Sequence, residues 1–201
     1  MTTGLLVLLA AYLIGGIPFG YLLVKLKRGE DVRTLGSGNI GATNVLRTTG
    51  RGLGVVTLLL DIGKGAFAVW IAERMLLGSV EWMSAAALAV MAGHAFPIWL
   101  RFRGGKAVAS FVGAFLYLAP VPLSACLIVF VFVVAWTRYI SLGSIVAAGL
   151  FPLAVWLIEH PPAPVLGAAL AAAVFIVYRH RANISRIRAG NEHLFLTGGR
   201  H

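Results

Sequence analysis

Apolar residues in this chain do not alternate with polar ones at the period of two expected of a half-buried strand. They run nearly unbroken for about twenty positions and are divided by short polar segments, the pattern of membrane-spanning helices. Gly4–Val24 carries no charge and ends at Lys25. Met1-Thr2-Thr3 lacks a basic leader and the positive charges follow the apolar stretch, so this segment reads as a first span rather than a cleaved signal peptide. Further spans are predicted at about 53–72, interrupted by Asp61 and Lys64, at 82–100, with His94 and Pro97 near its end, at 140–158 and at 161–178.

The stretch 107–137 has no charge and carries Pro120-Val-Pro122 in its middle. As one helix its 31 residues would reach about 46 Å, well beyond a hydrocarbon core of about 30 Å. Two helices meeting at the prolines, about 107–118 and 121–137, fit better. Charge parity chooses the hairpin. With seven spans, 15 of the 17 basic residues fall on one side: Lys25, Lys27, Arg28, Arg33, Arg47, Arg51, Arg101, Arg103, Lys106, Arg138, Arg179, Arg181, Arg186, Arg188 and Arg200. Glu73, Glu81 and Glu159 fall opposite. A single long span would send the C-terminal arginines outside, against the positive-inside rule. The expectation is an all-α, polytopic membrane protein of seven transmembrane helices, N-terminus out and C-terminus in. Trp99, Trp136, Tyr139 and Tyr178 then mark the inner interface, and Trp82 and Trp156 the outer.

Composition agrees. Of 201 residues 59% are hydrophobic and 12% charged, with mean hydropathy +0.89, which excludes an ordinary soluble domain and a disordered chain. Residues 1–201 read as a single integral membrane domain without a tandem repeat or an appended soluble domain. The formal charge of +10 would suit nucleic acid, an anionic leaflet or phosphorylated substrates; its one-sided placement favours the last two. The lone cysteine, Cys126, lies in an apolar run and reads as packing.

Three polar stretches share the basic side. The first is Gly36-Ser-Gly-Asn-Ile-Gly-Ala-Thr-Asn44, followed by Arg47, Gly50 and Gly52. Gly36-x-Gly38-x-x-Gly41 matches a dinucleotide fingerprint, and Asp61 lies twenty residues on, but no strand precedes it and Asp61 sits inside a hydrophobic span. What survives is backbone physics: glycines let successive N–H groups turn toward an anion, while Ser37, Asn39, Thr43 and Asn44 supply small donors. An ordinary flexible polar loop has the same composition, and the stretch alone does not separate the two.

The second stretch, Arg101-Phe-Arg-Gly104-Gly105-Lys106, leads directly into an apolar helix. Two glycines and a lysine at a helix N-terminus suit phosphate, although Leu100 and Ala107 rule out a Walker A motif. A positive-inside anchor accounts for Arg101 and Arg103 but less well for Lys106 with paired glycines. The third stretch is Tyr178-Arg-His180-Arg-Ala-Asn183-Ile-Ser-Arg186. If the last span continues as a helix, His180 and Asn183 share a face at i, i+3, where they could hold a hydroxyl-bearing ligand. Taken alone the segment reads more readily as an amphipathic tail with snorkelling arginines.

Within the spans, His94 reads as structural, bonding backbone carbonyls freed near Pro97, and Asp61 with Lys64 at i, i+3 reads as a mutually neutralising pair rather than a proton relay. The histidines offer no metal-ligand spacing, so no metal is expected. A histidine followed five residues later by aspartate, common in lipid acyltransferases, is absent: Trp99, Val165 and Ser185 follow His94, His160 and His180.

Taken together, the segments 29–47, 93–97 (Gly-His-Ala-Phe-Pro), 102–106 (Phe-Arg-Gly-Gly-Lys) and 178–184 (Tyr-Arg-His-Arg-Ala-Asn-Ile) resemble the bacterial membrane acyl-phosphate:glycerol-3-phosphate acyltransferase family along nearly the whole chain. The chain departs at Ala107, where the family usually continues with another glycine. The resemblance implies transfer of a fatty acyl group from acyl phosphate to the 1-hydroxyl of glycerol 3-phosphate, giving lysophosphatidic acid and phosphate. It implies no cofactor, no metal, no nucleic acid and no obligatory protein partner, and an active site on the cytoplasmic side of the bacterial inner membrane, in contact with the lipid bilayer. The family's phosphate-binding and catalytic positions fall on Ser37, Gly38, Asn39, Thr43, Asn44, Arg47, Lys106, His180 and Asn183.

The residues suit such a reaction. Two adjacent phosphates call for Arg47, Lys106, the Gly104-Gly105 backbone and a ring of N–H and hydroxyl donors. A mixed anhydride is already activated and needs no enzyme nucleophile, so orientation and charge stabilisation would carry most of the rate. The base is either His180 or an oxygen of the acyl phosphate. The competing class is a transporter or channel for a phosphorylated solute, which intramembrane Asp61 and Lys64 would serve, but no repeat is evident and the polar motifs face one side rather than the midplane. A lipid-binding scaffold would leave the glycine nest superfluous.

Overall fold

The structure is a computed structural model, and it describes residues 1–195. Arg200, counted above among the inner-side cations, lies outside the described residues. Those residues form helices and turns without a strand, and they divide into two compact units, residues 1–118 and 119–195.

The first unit holds α1 (Thr2–Gly15), α2 (Phe19–Arg28), α3 (Ala42–Thr49), α4 (Arg51–Met75), α5 (Val80–Ala95) and α6 (Val108–Leu118). The predicted span 4–24 is not one uninterrupted helix. It breaks at Gly16-Ile17-Pro18, because Pro18 has no N–H to continue the ladder, and resumes as the amphipathic α2. That helix stops at Gly29, whose φ of +71° lets its N–H cap the Lys25 carbonyl, with Lys25, Lys27 and Arg28 in the last turn against the negative end of the dipole.

In this unit α4 packs against α1, α2, α3, α5 and α6. Gly65 of α4 faces the Ser110 carbonyl and Gly113 of α6 faces the Ile62 carbonyl so closely that a Cβ at either place would collide with backbone. Such close crossings suit membrane helices, where small residues replace the hydrophobic effect as the means of association. The polarity is inverted relative to a soluble domain. Asp61, Lys64, His94 and Ser110 are buried, whereas Leu5, Leu6, Leu9, Phe67 and Trp70 are exposed, the distribution that suits a lipid surround.

The second unit consists of α7 (Pro120–Thr137), α8 (Ile140–Glu159), α9 (Ala163–Arg179) and α10 (Arg181–Arg188). The helix boundary in the uncharged 107–137 stretch falls at Ala119, with Pro120 in the first turn of α7, where its missing N–H costs nothing. α8 packs on α7 and on α9, and an apolar groove of about 870 Å³ runs between α8 and α9 past Leu153, Trp156, Leu170 and Val174. The last span does not continue straight through its polar motif: α9 ends at Arg179, and α10 departs from it at 54°.

Among the described residues, five helical segments are long and apolar enough to cross a bilayer, six if α9 and α10 count together; α6, with 11 residues, is shorter. The chain is therefore an all-helical, multi-pass membrane protein.

Candidate phosphate-binding site

The glycine-rich stretch is folded around one side chain. Asn44, in the first turns of α3, is 2% exposed. Its Oδ1 accepts the Ser37 N–H at 2.9 Å, and its Nδ2 donates to the carbonyls of Asn39 (2.8 Å), Leu35 (3.0 Å) and Val32 (3.3 Å). Gly36 and Gly38 take left-handed φ values of +53° and +70°, and a side chain at Gly36 would strike Asn44. The Asn39 carboxamide in turn accepts the Gly41 N–H at 2.8 Å, closing the turn that starts α3. Sequence reasoning placed Asn44 among the phosphate-binding donors; in the structure its carboxamide is committed to shaping the loop. Ser37 and Gly38 stay exposed at the loop's crest, and Asn39, Thr43 and Arg47 are half-buried.

Both ends of the loop are tied down. Asp31 caps the single 3-10 turn Val32–Thr34 by accepting the Arg33 N–H, and its carboxylate pairs with the Arg33 guanidinium at 2.6 Å. Those hydrogen bonds hold the Asp31 carboxyl below the usual carboxylate range. Arg28 of α2 donates to the carbonyls of Thr48 and Thr49, satisfying the open C-terminus of α3.

The second loop follows α5 through the 3-10 turn Ile98–Leu100. Arg101 and Phe102 are left-handed, and the chain doubles back so that Gly104 N–H meets the Ala95 carbonyl and Gly105 N–H the His94 carbonyl, each at 3.1 Å. Lys106 is half-buried and precedes α6 by one residue, Ala107, which is buried with φ +62°. The Ala107 carbonyl accepts from Phe111 and opens the helix.

One apolar cluster underlies both loops. Val32 and Ile40 from the glycine-rich loop, Val45 from α3, Val24 from α2 and Leu100 from the second loop are all buried together. The burial of five such side chains, each contributing about 1.5–3 kcal/mol, fixes the two backbone turns on a common floor. Two segments lying more than fifty residues apart in sequence thus share one apolar floor in the first unit, the first of them carrying Arg47 and the second leading to Lys106.

In the second unit His180 sits at the bend between α9 and α10 and is buried. Its Nδ1 lies 2.8 Å from the Ile176 carbonyl. A carbonyl only accepts, so this contact fixes the Nδ1–H tautomer and puts the neutral ring's lone pair on Nε2. Asn183, one turn into α10, donates to Glu192 Oε1 at 2.8 Å.

Sequence reasoning missed Glu192. It also accepts from Ser141 at 3.1 Å and from Arg186 at 2.8 Å, gathering α8, α10 and the following segment on one buried carboxylate. Burial alone would push its pKa up, but the hydrogen bonds from Asn183 and Arg186 outweigh it and hold the carboxyl below its usual value. A lone acid in a basic tail was the available signal.

The family model described as glycerol-3-phosphate acyltransferase matches residues 5–190. Proteins named glycerol-3-phosphate acyltransferase from Geotalea daltonii and Trichlorobacter lovleyi are 45% and 49% identical, each over 97% of this chain and 99% of their own. The fold matches crystal structures of PlsY, an integral membrane glycerol 3-phosphate acyltransferase. Its glycerol 3-phosphate form has a TM-score of 0.90 at 37% identity and its lysophosphatidic acid form 0.86 at 35%, each match covering 96% of both chains. These matches favour acyl transfer over solute transport, and the chain belongs to the glycerol-3-phosphate acyltransferase family.

Proposed function

We propose that the chain transfers a fatty acyl group from acyl phosphate to the 1-hydroxyl of glycerol 3-phosphate at the paired loops of its first unit, with release of lysophosphatidic acid and inorganic phosphate. The observation that carries this reading is the common apolar floor, where Val32, Ile40 and Val45 of the glycine-rich segment pack with Leu100 of the second loop; it supports reading that segment, Arg47 and the Gly104-Gly105-Lys106 turn as one site. Two phosphates side by side carry several negative charges, and preformed donors that need no reorganisation stabilise them most.

The hydroxyl oxygen attacks the acyl carbonyl carbon, the carbon–oxygen bond to phosphate breaks, and the leaving phosphate takes the electron pair. Lys106 and the backbone N–H groups of the glycine loop stabilise that departing charge, while Arg47 binds phosphate oxygens as a planar fork. The hydroxyl proton passes to an oxygen of the acyl phosphate. His180 and Asn183 are assigned to the reaction by motif identity, His180 as a positioning group with its tautomer fixed by Ile176. The acyl tail enters laterally from the inner leaflet.

The reading extends to topology. Seven crossings, N-terminus outside and C-terminus inside, leave both phosphate loops facing the cytoplasm at the inner membrane. The one-sided basic residues support this arrangement.

The test supplies acyl phosphate or acyl-CoA at equal concentration to purified protein with glycerol 3-phosphate and follows lysophosphatidic acid. The short loops leave little surface for an adenine nucleotide, so turnover is expected from acyl phosphate alone. Lys106→Ala and Arg47→Ala are each expected to lose about 100- to 1,000-fold while remaining folded in detergent. Comparable rates from acyl-CoA would defeat the donor assignment, and near-parental rates in both variants would remove these residues from the site.

A further inference from the structure

Beneath the two loops lies a buried charged cluster that the proposed chemistry does not use. Lys64 Nζ is 2.7 Å from Asp61 Oδ1 and donates to the Ile17 carbonyl at 2.9 Å. That carbonyl lies at the break between α1 and α2, where Pro18 offers no N–H. On the other side, His94 Nδ1 lies 3.6 Å from the same Asp61 oxygen. The opposite nitrogen of the imidazole, Nε2, abuts Gly105: a Cβ built there would collide with the ring and with nothing nearer. The His94 carbonyl also accepts the Gly105 N–H. All three side chains are buried.

The sequence supports a bland reading, a neutralised pair plus a structural histidine. Magnitudes argue for more. A buried ion pair rarely stabilises a fold relative to well-packed apolar residues, so stability alone gives weak reason to keep one. What such a cluster supplies is fixed geometry. It runs from the α1–α2 break through α4 to the end of α5, and it ends against the residue next to Lys106. At its other end, Gly20, three residues past Ile17, packs directly on the Ile40 carbonyl of the glycine-rich loop.

We propose that Asp61, Lys64 and His94 are positioning residues that set the Gly104-Gly105-Lys106 turn: Asp61 orients the His94 ring, and the ring is the surface that locates Gly105 and therefore the Lys106 ammonium. This rests on Lys106 being a phosphate-directed group, as argued above. An error of about 1 Å in such a group costs on the order of 100-fold, so the cluster acts on substrate binding and rate rather than on folding alone.

The experiment measures kcat, KM for glycerol 3-phosphate, KM for acyl phosphate and the thermal midpoint. It compares His94→Ala, His94→Gln, the neutral pair Asp61→Asn/Lys64→Met, Lys106→Ala and the double variant His94→Ala/Lys106→Ala. Folded His94→Ala and the neutral pair are expected to raise the KM of at least one phosphate-bearing substrate by about tenfold or more. His94→Gln, which keeps a polar head between Asp61 and Gly105, should recover part of that loss, and it is the variant read should His94→Ala not fold. The double variant should be no worse than Lys106→Ala, because His94 acts through Lys106. KM values within about twofold of the parent in both His94→Gln and the neutral pair, or losses that multiply with Lys106→Ala, overturn the proposal. Near-parental activity in Lys106→Ala alone would instead overturn the phosphate-site reading beneath it, a result told apart by that single variant.

Discussion

Ala107 holds a left-handed backbone, φ +62°, with its methyl group buried, between Lys106 and the first turn of α6. An L-residue there costs about 1–2 kcal/mol, and the family resemblance leads one to expect glycine. Glycine would relieve that strain but would lose about 0.8 kcal/mol of methyl burial and about 0.5–1 kcal/mol through the freer unfolded chain. The two sides nearly cancel, which explains why alanine is tolerated. Ala107→Gly is therefore expected to shift unfolding stability by less than about 1 kcal/mol and to leave KM near the parental value. Ala107→Val faces a different balance, because a β-branched residue at positive φ is a true outlier with no room in a buried site. It should raise the KM for glycerol 3-phosphate or acyl phosphate by displacing Lys106. Unfolding and kinetics of the two variants together check the argument, and a Val variant as active as the parent would refute it.

At the level of elements, legibility followed proline and glycine. The break near Pro120 was readable because a proline cannot sit in mid-helix without cost. The break at Gly16–Pro18 uses the same chemistry, yet an uncharged run of twenty-one residues masked it. The bend at His180 has no proline or glycine and was not readable at all. It is held by tertiary bonds, above all the Glu192 carboxylate joining Asn183 and Arg186 of α10 to Ser141 of α8. Hydrogen bonds to a charged group contribute about 1.5–3 kcal/mol, so Glu192→Gln should destabilise the protein by about 1–3 kcal/mol at neutral pH. The sign of the pH dependence follows from the lowered carboxyl pKa. A carboxylate whose pKa is lower folded than unfolded stabilises above the ordinary glutamate range and loses that contribution as pH falls through its folded value. Detergent-phase melting of parent and Glu192→Gln should therefore converge on acidification below the ordinary range. A constant gap would show that the charge is not what holds the bend.

For the molecule as a whole, the sequence carried the membrane class, because long apolar runs declare themselves locally. It did not carry the internal architecture of the site. That Asn44 is a loop organiser, or that His94 reaches Gly105, depends on how irregular turns fold side chains back onto backbone a few to a dozen residues away, which hydrophobic periodicity does not encode. Sidedness is the opposite case, since the expectation for it rests on the charge distribution along the sequence and not on the packing of helices. Ser79 lies in the turn between α4 and α5, beside exposed Gly78 and Glu81, and Ser185 is exposed on α10 among arginines. With seven crossings these two positions are on opposite faces of the membrane. The prediction is tested in a background carrying Cys126→Ala, which removes the one native thiol. A single cysteine at Ser79 should react with an impermeant maleimide applied to intact cells. One at Ser185 should react only after the membrane is opened or in inverted vesicles. The basic excess is the ground for the expected orientation: reversing it would place Lys106, Arg47 and the arginines of α10 outside, against the positive-inside bias. Labelling of both positions from the same side would exclude the seven-crossing arrangement, and the shortness of α6, at 11 residues, would then point to a segment that enters the membrane without crossing it.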